Sequence, residues 1–475
     1  MKIKNLLLPV LLLAFGTYSC TDAYEIGPKD EIIDSNAITN MDDLSRAMNG
    51  AYAGVGGAGA VSWASWFTDE CRKPSTNRGT GVQVHTWSIN DGTNDVASIY
   101  GGYYGTINRA NVVLERMDNF EVASPEEGAL REQYRAELLT LRAMAHFDLL
   151  RFFATSYTDQ NALAIPIVDQ VIVSTKFPRN TVGEVVTFVK GDLLTALDLF
   201  NTYGSENNNS QATAFIKITP KAVKAILARL ALYTKDYDSA IAYSQEVMSE
   251  VSLAPTPTDY IDIWSDASNA EIIFKAKRVQ GNGQIGRIYK DANGDVLYNV
   301  SYGLFSTFQQ NDIRFFSLID LNESTAQDLQ VGKYVGPSNN YGLADIKLFR
   351  VAEMYLINAE ANALKANPDF TAAQLAINTL RASRRLDPAA LPDLTFADQN
   401  DAIDKILNER RKELAFEGHR FFDLKRFNRG VERLAQDIEL NTFAQQLAAG
   451  DYRFTLPIPA DAIFANETLV QNPNY

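Results

Sequence analysis

The sequence contains few of the side chains that metal sites and nucleophilic enzymes use. Only two cysteines and three histidines occur among its 475 residues. The histidines, His85, His146 and His419, lie far apart, and none has a second metal ligand at helical spacing. The chain also has no glycine-rich phosphate loop, no nucleophile elbow and no Cys–His pairing. These absences predict a protein without a metal site or cofactor, in which His146 and His419 are packed structural residues.

The sequence also lacks an apolar run long enough to cross a membrane. The apolar stretch near its start, Leu6–Phe15, is about half of the roughly 20 residues that a spanning helix needs. It follows the basic start Met-Lys-Ile-Lys and precedes small and polar residues. This order is typical of a secretory signal peptide, which we assign to residues 1–19.

Cys20 stands where that signal peptide is expected to end. The preceding Thr17-Tyr-Ser resembles a relaxed lipobox, because Tyr18 occupies a position where a small residue is commoner. This pattern predicts diacylglycerol on Cys20 after cleavage, with residues 20–39 as a lipidated tether held by the acyl chains. The alternative is simple secretion, with Cys20 an ordinary thiol. In the lipidated form Cys71 has no partner, so we expect no disulfide.

Acidic side chains outnumber basic ones, 58 to 44, and give the chain a formal net charge of −14. A surface with this charge argues against nucleic acid and against an anionic membrane surface as partners. The hydrophobic content is 46%, which over 475 residues is enough for a core without disulfides. The charge by itself identifies no ligand.

Apolar residues recur at helical spacing through most of the chain. A first helix is predicted from Asn40, and further helices over Tyr103–Met117 and Pro125–Phe153. The last of these carries the longest apolar stripe, with residues three and four positions apart on one face. The pattern predicts a mainly α fold.

Two helical hairpins are predicted at Lys221–Glu250 and Ala352–Arg385, each with a short turn between its helices. Their tight turns and small residues resemble those of tetratricopeptide hairpins. An insertion separates them, so a plain periodic solenoid is not expected. We predict a single domain over residues 40–475, with a helical scaffold at about 103–255 and 345–435.

Acidic and basic residues stand amid the apolar stripes of these helices, so we expect them to pair with one another. The stretch Phe349–Phe427 is the richest in such charges. In the longest predicted helix, the expected buried or half-buried pairs are Glu137 with Arg142 and Asp148 with Arg151. Pairs of this kind fix how one helix packs on another and do not indicate catalysis.

Two segments, at about 62–99 and 256–341, have no sustained period and are rich in glycine, asparagine and aromatic residues. We predict long structured loops there, with a loop at Ile261–Trp264, a strand at Glu271–Lys277 and a hairpin turn at Asn293-Gly294. Loops of this length inside a compact domain are usually functional or disordered, and the tryptophans favour order. These segments are therefore the expected ligand-face loops.

Three segments carry the most specific sequence patterns of the chain. Phe349–Phe427 contains F-R-V-A-E-M-Y-L-I-N-A-E-A and E-R-R-K-E-L-A-F-E-G-H-R-F-F-D-L-K-R-F, and Tyr134–Phe153 contains E-L-L-T-L-R-A-M-A-H-F-D-L-L-R. The chain ends with L-P-I-P and then Q-N-P-N-Y. With the signal peptide and lipobox, these patterns resemble the SusD/RagB family of surface lipoproteins from Bacteroidetes. The resemblance spans essentially the whole chain and is weakest at 62–99 and 256–341.

The resemblance implies a mainly α, SusD-like fold, in which a tetratricopeptide-like helical-hairpin scaffold carries a loop-rich and aromatic-rich ligand-binding insertion. It implies a non-catalytic lipoprotein, anchored on the extracellular side of the cell outer membrane, that captures oligosaccharide. It also implies delivery of that ligand to a TonB-dependent transporter of the SusC type. The RagB branch of the family implies an alternative, the capture of oligopeptide.

Sugars present flat apolar faces edged by hydroxyl groups, which aromatic rings and adjacent polar side chains complement. The candidate ligand-binding residues of this kind are Trp66, Arg72, Asn77, Arg78 and Trp87 in the first loop segment and Tyr298, Tyr302 and Phe305 in the second. For each ring the alternative is ordinary packing beneath a long loop. For Arg72 the alternative is an ion pair with Asp69.

The acidic pair Asp69-Glu70 raises an enzymatic alternative. A glycoside hydrolase needs two carboxyl groups that flank the scissile bond. Adjacent residues of a chain usually point in different directions, so we predict that this pair is not catalytic and that the protein is not an enzyme. A pure interaction scaffold is a further alternative, which the aromatic-rich insertion disfavours because a scaffold needs no such loops.

Overall fold

The structure, a computed structural model, describes residues 38–171, 175–210, 212–337, 340–387, 391–438 and 444–475. The predicted signal peptide, the lipidation residue Cys20 and nearly all of the predicted tether lie outside the described residues. The α-helices are α1 (Met41–Ala53), α2 (Ala58–Phe67), α3 (Val82–His85), α4 (Asn94–Arg116), α5 (Pro125–Phe153), α6 (Val182–Tyr203), α7 (Pro220–Tyr233), α8 (Tyr237–Glu250), α9 (Pro257–Asp262), α10 (Tyr302–Phe305), α11 (Phe315–Leu318), α12 (Val351–Leu364), α13 (Phe370–Ala382), α14 (Gln399–Glu413), α15 (Arg420–Arg426) and α16 (Ala460–Ala465). The strands are β1 (Cys71–Arg72), β2 (Ile272–Ala276), β3 (Asn299–Val300), β4 (Ile346–Arg350), β5 (Val431–Glu432) and β6 (Gln446–Leu447).

Many of the helices begin at a side chain that caps their first turn. The capping residues, whose side chains accept a hydrogen bond from a backbone N–H of the helix that follows, include Asn40, Ser124, Thr181, Asp236, Asp369 and Asp398. Short polar side chains suit this position because the first N–H groups of a helix have no partner inside it. α5 also starts with proline, whose fixed φ favours the first turn. The predicted bounds of α5 are confirmed.

The two predicted helical hairpins are present as α7–α8 and α12–α13. Although the insertion separates them in sequence, α8 packs against α12, so the hairpins are neighbours in space. An ion pair with an N–O distance of 2.6 Å joins Arg229 of α7 to Glu353 of α12. Asn358 of α12 donates a hydrogen bond to the Ser244 hydroxyl of α8 at 3.1 Å. The mainly α fold with a helical-hairpin scaffold is therefore confirmed.

Short antiparallel strand pairs connect distant parts of the chain. β2 pairs with β4, and α12 begins directly after β4, so the insertion leaves the scaffold and returns to it at one place. β1 pairs with β3, which joins the first predicted loop segment to the second. β5 pairs with β6 near the C-terminal part of the chain.

The prediction of loops throughout 62–99 is wrong for part of that range. Ser62–Phe67 belongs to α2, α3 adds a further turn, and α4 begins at Asn94 instead of Tyr103. The side chains of α2 are buried on almost every side, including Trp63 and Phe67. A helix that is enclosed all round has no polar face, so its sequence shows no amphipathic period.

The insertion contains more helix and less strand than predicted. Ile261 and Asp262 close the helix α9, whose first turn is capped by Thr256, so the predicted loop at that point is wrong. The strand over Ile272–Ala276 is confirmed. Asn293-Gly294 forms a tight reversal, but the flanking residues make a single bridge, Lys290 with Val296, instead of a hairpin of two strands.

The charged residues of the stretch Phe349–Phe427 pair in the interior of the protein, as predicted. We call Glu271, Arg314, Arg350, Arg384, Glu409, Glu413 and Glu417 the ionic cluster; all seven are buried. Glu413 accepts from Arg384 at 2.9 Å, from Arg350 at 3.1 Å and from Arg314 at 3.3 Å. Burial alone would raise the pKa of Glu413, but Arg384 and Arg350 hold it well below its ordinary value. Glu413 therefore stays ionised, and the cluster ties the insertion to the helices.

One of the two ion pairs predicted within α5 is wrong. Arg142 makes a bidentate pair with Asp192 of α6, with both N–O distances 2.8 Å, instead of pairing with Glu137. Glu137 accepts a hydrogen bond from the hydroxyl of Tyr52. The pair of Asp148 with Arg151 is confirmed. Residues five positions apart lie on different faces of a helix, which explains why Arg142 reaches another helix.

Candidate ligand-binding site

The structure brings the two predicted ligand-face segments into contact. Trp66 and Tyr298 stack with ring centroids 5.2 Å apart and an interplanar angle of 22°. The Asn77 side chain donates to the Leu297 carbonyl at 2.8 Å, and the Tyr298 hydroxyl donates to the Thr80 carbonyl at 2.8 Å. Together with the β1–β3 pair, these contacts hold both segments as one structured wall.

Four of the predicted ligand-binding residues lie inside this wall. Trp66, Asn77, Trp87 and Tyr298 are at most 5% exposed. The indole N–H of Trp87 donates to the Phe67 carbonyl at 2.8 Å. All four contact other parts of the protein and support the surface from behind, which is the packing alternative for the three rings. Ligand contact through these four residues stays a prediction. Because they are buried, they expose almost no surface that a ligand could touch.

Arg72 and Tyr302 meet at the outer side of the wall. The Arg72 guanidinium lies 4.8 Å from the centroid of the Tyr302 ring and donates to the Gln327 carbonyl. The Nε of Arg72 is buried beneath this contact and, among the described residues, has no hydrogen-bond partner. The alternative pairing of Arg72 with Asp69 is wrong, because the Asp69 carboxylate accepts from Arg420 at 2.8 Å and lies 3.0 Å from Arg411.

Asp437 fixes the position of Tyr302. Its two carboxylate oxygens accept from the backbone N–H groups of Tyr302, at 2.7 Å, and of Gly303, at 2.9 Å. Burial raises the pKa of Asp437, while these two N–H groups and Arg72 act in the opposite direction. Sequence reasoning missed Asp437, because it stands 135 positions from Tyr302 and no local pattern relates the two.

Phe305 is the half-buried start of an aromatic row. Its ring lies 5.6 Å from that of Phe315, which lies 5.6 Å from that of Phe316. Leu434, 46% exposed, lies beside Gly303 of α10. The sequence analysis missed Phe315, Phe316 and Leu434, although the Phe-Phe doublet was a visible signal. We call Arg72, Tyr302, Phe305, Phe315, Phe316 and Leu434 the Tyr302 face.

Arg78 belongs to a different cluster. Its guanidinium is paired with Asp291, at 3.4 Å, and with Asp295, and its side chain is 56% exposed. These carboxylates belong to the turn that contains Asn293-Gly294. The structure therefore places Arg78 beside that turn, and Arg72, Tyr302 and Phe305 at the Tyr302 face.

The Asp69-Glu70 pair is enclosed in the protein. Burial alone would raise the pKa of Asp69, but Arg411 and Arg420 hold it well below its ordinary value. Burial, reinforced by the adjacent Asp69, raises the pKa of Glu70 to about 7. Both carboxyl groups are buried, and a Glu70 oxygen accepts from the backbone N–H of Phe416 at 3.3 Å. This geometry serves packing, because the two groups do not flank an open cleft.

The histidines pack as predicted. His146 is enclosed in α5, where its Nε2 accepts from the backbone N–H of Val168 at 3.1 Å, and His419 is also buried. Within the described ranges, no three His, Cys, Asp or Glu residues are grouped as metal ligands would be. No helix in the same ranges has both the length and the apolar character that crossing a membrane requires.

Comparisons with known proteins match both halves of the chain. Residues 302–475 match the model of the SusD family, and residues 30–232 match a family described as starch-binding and associating with the outer membrane. A SusD-like protein of Formosa agariphila is 26% identical over 495 residues, covering 91% of this chain and 93% of the relative. A second SusD-like protein of that organism is 22% identical and covers 99% of this chain and 98% of its own length.

Solved structures show the same fold. A SusD superfamily protein from Bacteroides thetaiotaomicron superposes with a TM-score of 0.78 at 22% identity, covering 92% of this chain and 100% of its own. A putative sugar binding protein from Bacteroides vulgatus superposes with a TM-score of 0.76 at 23% identity, covering 92% of this chain and 99% of its own. The two family matches, together with the shared helical architecture, confirm the resemblance to the SusD/RagB family that the sequence patterns indicate. The chain belongs to the SusD/RagB family.

Proposed function

We propose that the protein captures oligosaccharide at the cell surface, leaves it chemically unchanged, and delivers it to a TonB-dependent transporter of the SusC type. The observation that carries the proposal is the Tyr302 face, where an aromatic ring, a guanidinium and a row of half-buried and exposed phenylalanine rings lie close together. Family membership and the sugar-binding description of one structural relative support the ligand class.

The Tyr302 face has the two properties that sugar recognition requires. Its rings and Leu434 offer apolar surface to the C–H faces of a sugar ring. Arg72 offers N–H donors next to that surface, and the carbonyl groups of Ala326 and Gln327 lie within hydrogen-bond distance of the Tyr302 hydroxyl, at 3.3 and 3.4 Å. Polar groups held in place before the ligand arrives lose little conformational freedom on binding.

The same surface supports binding without catalysis. The carboxylate that adjoins the Tyr302 face, that of Asp437, has both oxygens engaged by backbone N–H groups. Hydrolysis of a glycosidic bond needs a second carboxyl group across the bond. We therefore propose that the ligand leaves as it arrived.

The cell-surface part of the proposal rests on the N-terminal sequence and on the outer-membrane description of the family matched by residues 30–232. Diacylglycerol on Cys20 would hold the protein at the membrane through its acyl chains. Mass spectrometry of the mature N-terminus tests this directly: an unmodified Cys20 would contradict lipid anchoring. A Cys20→Ser variant is expected to appear in the soluble fraction, and Cys71→Ser, the matched control, is expected to stay with the membrane.

Isothermal titration with a panel of oligosaccharides tests the ligand class. Tyr302→Ala should weaken binding by about 1–3 kcal/mol, roughly tenfold to hundredfold, because it removes a ring at the centre of the surface. Tyr203→Ala, which alters an exposed tyrosine at the end of α6, should leave affinity unchanged. Mass spectrometry of the recovered ligand should find it uncleaved.

Oligopeptide capture is the alternative, and the net charge of −14 favours cationic peptides for it. A protein that binds no oligosaccharide of the panel but binds peptides would overturn the glycan proposal in favour of this one. Loss of oligosaccharide uptake in cells that lack the protein, with the transporter still present, tests the delivery step.

A further inference from the structure

A cleft lies beside the turn that contains Asn293-Gly294, in the second of the two segments that form the wall. Its volume is about 630 Å³, and Tyr341, Arg287, Lys290, Asn293 and Asn322 are among the residues that line it. We call it the Tyr341 cleft. It combines an aromatic ring, two cations and two side-chain amides, which are the residue types that bind sugar hydroxyls and sugar faces.

The backbone builds this cleft through an unusually close approach. Gly286 donates to the Gly342 carbonyl at 3.0 Å, and a Cβ atom added to Gly286 would lie 2.5 Å from the Gly342 Cα. Only glycine allows two backbones to come this close. The contact sets the neighbouring residues, Arg287 and Tyr341, side by side, with the guanidinium 5.4 Å from the ring centroid.

The polar groups of the Tyr341 cleft are already balanced by one another. Lys290 lies 5.2 Å from the centroid of the Tyr341 ring and pairs with Glu323 at 3.1 Å. Arg287 donates to Gln284 and to the Asp291 carbonyl. Of the remaining carboxylates of the lining, that of Asp291 is paired with Arg78 at 3.4 Å and that of Asp320 adds negative charge. This balance suits a neutral ligand better than an acidic one, because a bound carboxylate or sulfate would face these acidic groups.

One loop connects the Tyr341 cleft to the Tyr302 face. The loop spans residues 320–330; Glu323 lines the cleft, and Gln327 accepts a hydrogen bond from Arg72 of the Tyr302 face. Four residues span at most about 14 Å. The loop is held closed by the Asp320 N–H, which donates to the Gln330 carbonyl at 2.9 Å, and it is held to β3 by the Val300 N–H, which donates to the Leu329 carbonyl at 2.8 Å. The two binding surfaces therefore have a fixed separation.

From this geometry we infer that the Tyr341 cleft is a second subsite for the same ligand, so that the protein selects neutral oligosaccharides long enough to reach from the Tyr302 face across the 320–330 loop. The inference rests on the proposed function. A ligand that occupies both subsites gains affinity because the second contact is intramolecular. A short ligand occupies the Tyr302 face alone and gains nothing from Tyr341.

Isothermal titration with a disaccharide and a hexasaccharide of the same linkage tests the inference. The linkage is the one that binds best in the oligosaccharide panel. Tyr341→Ala and Asn322→Ala should each weaken hexasaccharide binding by roughly tenfold and leave disaccharide binding unchanged. Tyr302→Ala should weaken both ligands. Asn322 is exposed, so its variant keeps the fold if Tyr341→Ala does not; thermal unfolding verifies each variant, and Tyr341→Phe is the matched control that keeps the ring.

Failure of this inference and failure of the proposed function are distinguishable. If folded Tyr341→Ala and Asn322→Ala proteins bind the hexasaccharide as the parent does, while Tyr302→Ala weakens it, the second subsite is wrong and the proposed function stands. If the parent protein binds no oligosaccharide, or if Tyr302→Ala changes neither ligand, the proposed function itself fails. Equal loss for both lengths in Tyr341→Ala would also overturn the two-subsite arrangement.

Discussion

The ionic cluster and the Tyr302 face use the same residue types in opposite ways. In the cluster, arginines and glutamates are buried and saturate one another: Glu413 alone accepts from three arginines. At the Tyr302 face, Arg72 is only half-buried: its guanidinium lies over the Tyr302 ring and donates to the Gln327 carbonyl at the surface. Charges that find all their partners inside the protein hold it together, whereas polar groups that reach the solvent are open to a ligand.

Buried ion pairs nevertheless connect the region of the Tyr302 face to the helical scaffold. Glu271, at the start of the insertion, is 2.8 Å from Arg350 in the pair that joins it to β4. Arg314, farther along the insertion, is 2.6 Å from Glu409 of α14. The insertion that carries the Tyr302 face is thus tied to the scaffold by buried ion pairs at more than one point. A rigid connection of this kind keeps the recognition residues in register with the helices.

Removing the centre of the ionic cluster should have the largest effect. Glu413→Ala leaves three buried arginines without their shared carboxylate, so we expect it to lower the free energy of unfolding by about 3–5 kcal/mol. Asp404→Ala, in the same helix α14 but exposed and paired at the surface, should change it by less than about 1 kcal/mol. Thermal or urea unfolding measures both. Similar values for the two variants would contradict the structural role of the cluster.

The pH dependence of stability distinguishes Glu413 of the ionic cluster from another buried glutamate, Glu137 of α5. Burial raises the pKa of Glu137 from 4.5 to about 7, although the Tyr52 hydroxyl and Lys217 act in the opposite direction. The folded protein therefore holds this proton in a pH range where the unfolded chain has lost it, and the stability contributed by Glu137 falls as pH rises from about 4.5 to 7. Glu137→Gln should reduce that slope.

The expected size is on the order of 1–3 kcal/mol between pH 5 and pH 8, measured by urea unfolding of parent and variant at each pH. Glu132→Gln, a change on the same helix at a residue with partial exposure, is the control and should keep the parent slope. An unchanged slope in Glu137→Gln would show that Glu137 is ionised in the folded protein.

At the Tyr302 face, Asp437 should act mainly on binding. Asp437→Asn keeps the shape of the side chain but replaces one of its two acceptors with a donor, so one of the Tyr302 and Gly303 N–H groups loses its bond. We expect ligand affinity to fall by about 1–2 kcal/mol, because Tyr302 is no longer fixed. Titration of the best-binding oligosaccharide measures the change. Glu432→Ala, nearby in β5 and exposed, should leave affinity unchanged.

Arg78 should give the smallest effect on stability. Its guanidinium is 56% exposed and its partners, Asp291 and Asp295, are also partly exposed. Surface ion pairs contribute about 0–1 kcal/mol, so Arg78→Ala should change the free energy of unfolding by no more than that. A loss as large as that of Glu413→Ala would place Arg78 in a structural role comparable to the cluster.

The sequence predicted the parts of the fold whose signals are local. The stripe of α5 and the small residues of the α7–α8 hairpin each lie within a few turns of one helix, and the structure has these helices within three residues of the predicted bounds. α2 was missed because its burial on all sides removes the periodic pattern. Arg142 was paired with the wrong residue because its true partner, Asp192, stands 50 positions away.

The candidate site was only partly predictable for a related reason. Composition indicated which segments carry aromatic rings, but Trp66 and Tyr298 stack on one another inside the protein, while Tyr302 lies at the surface. Whether a ring in a loop faces inward depends on the strand pairing that joins two segments more than 200 positions apart, such as Cys71 with Val300. Asp437 and the Gly286–Gly342 contact depend on tertiary structure in the same way.

The β2–β4 pair closes the insertion at its base, since β2 opens it and β4 leads directly into α12. The two ends of the segment between these strands are therefore held together, so α8 meets α12 although that segment separates them in sequence. Exposed residues of that segment, such as Phe316, can be exchanged without disturbing the helices, provided that the buried residues that pair with the helical scaffold, such as Arg314 and Lys333, are kept.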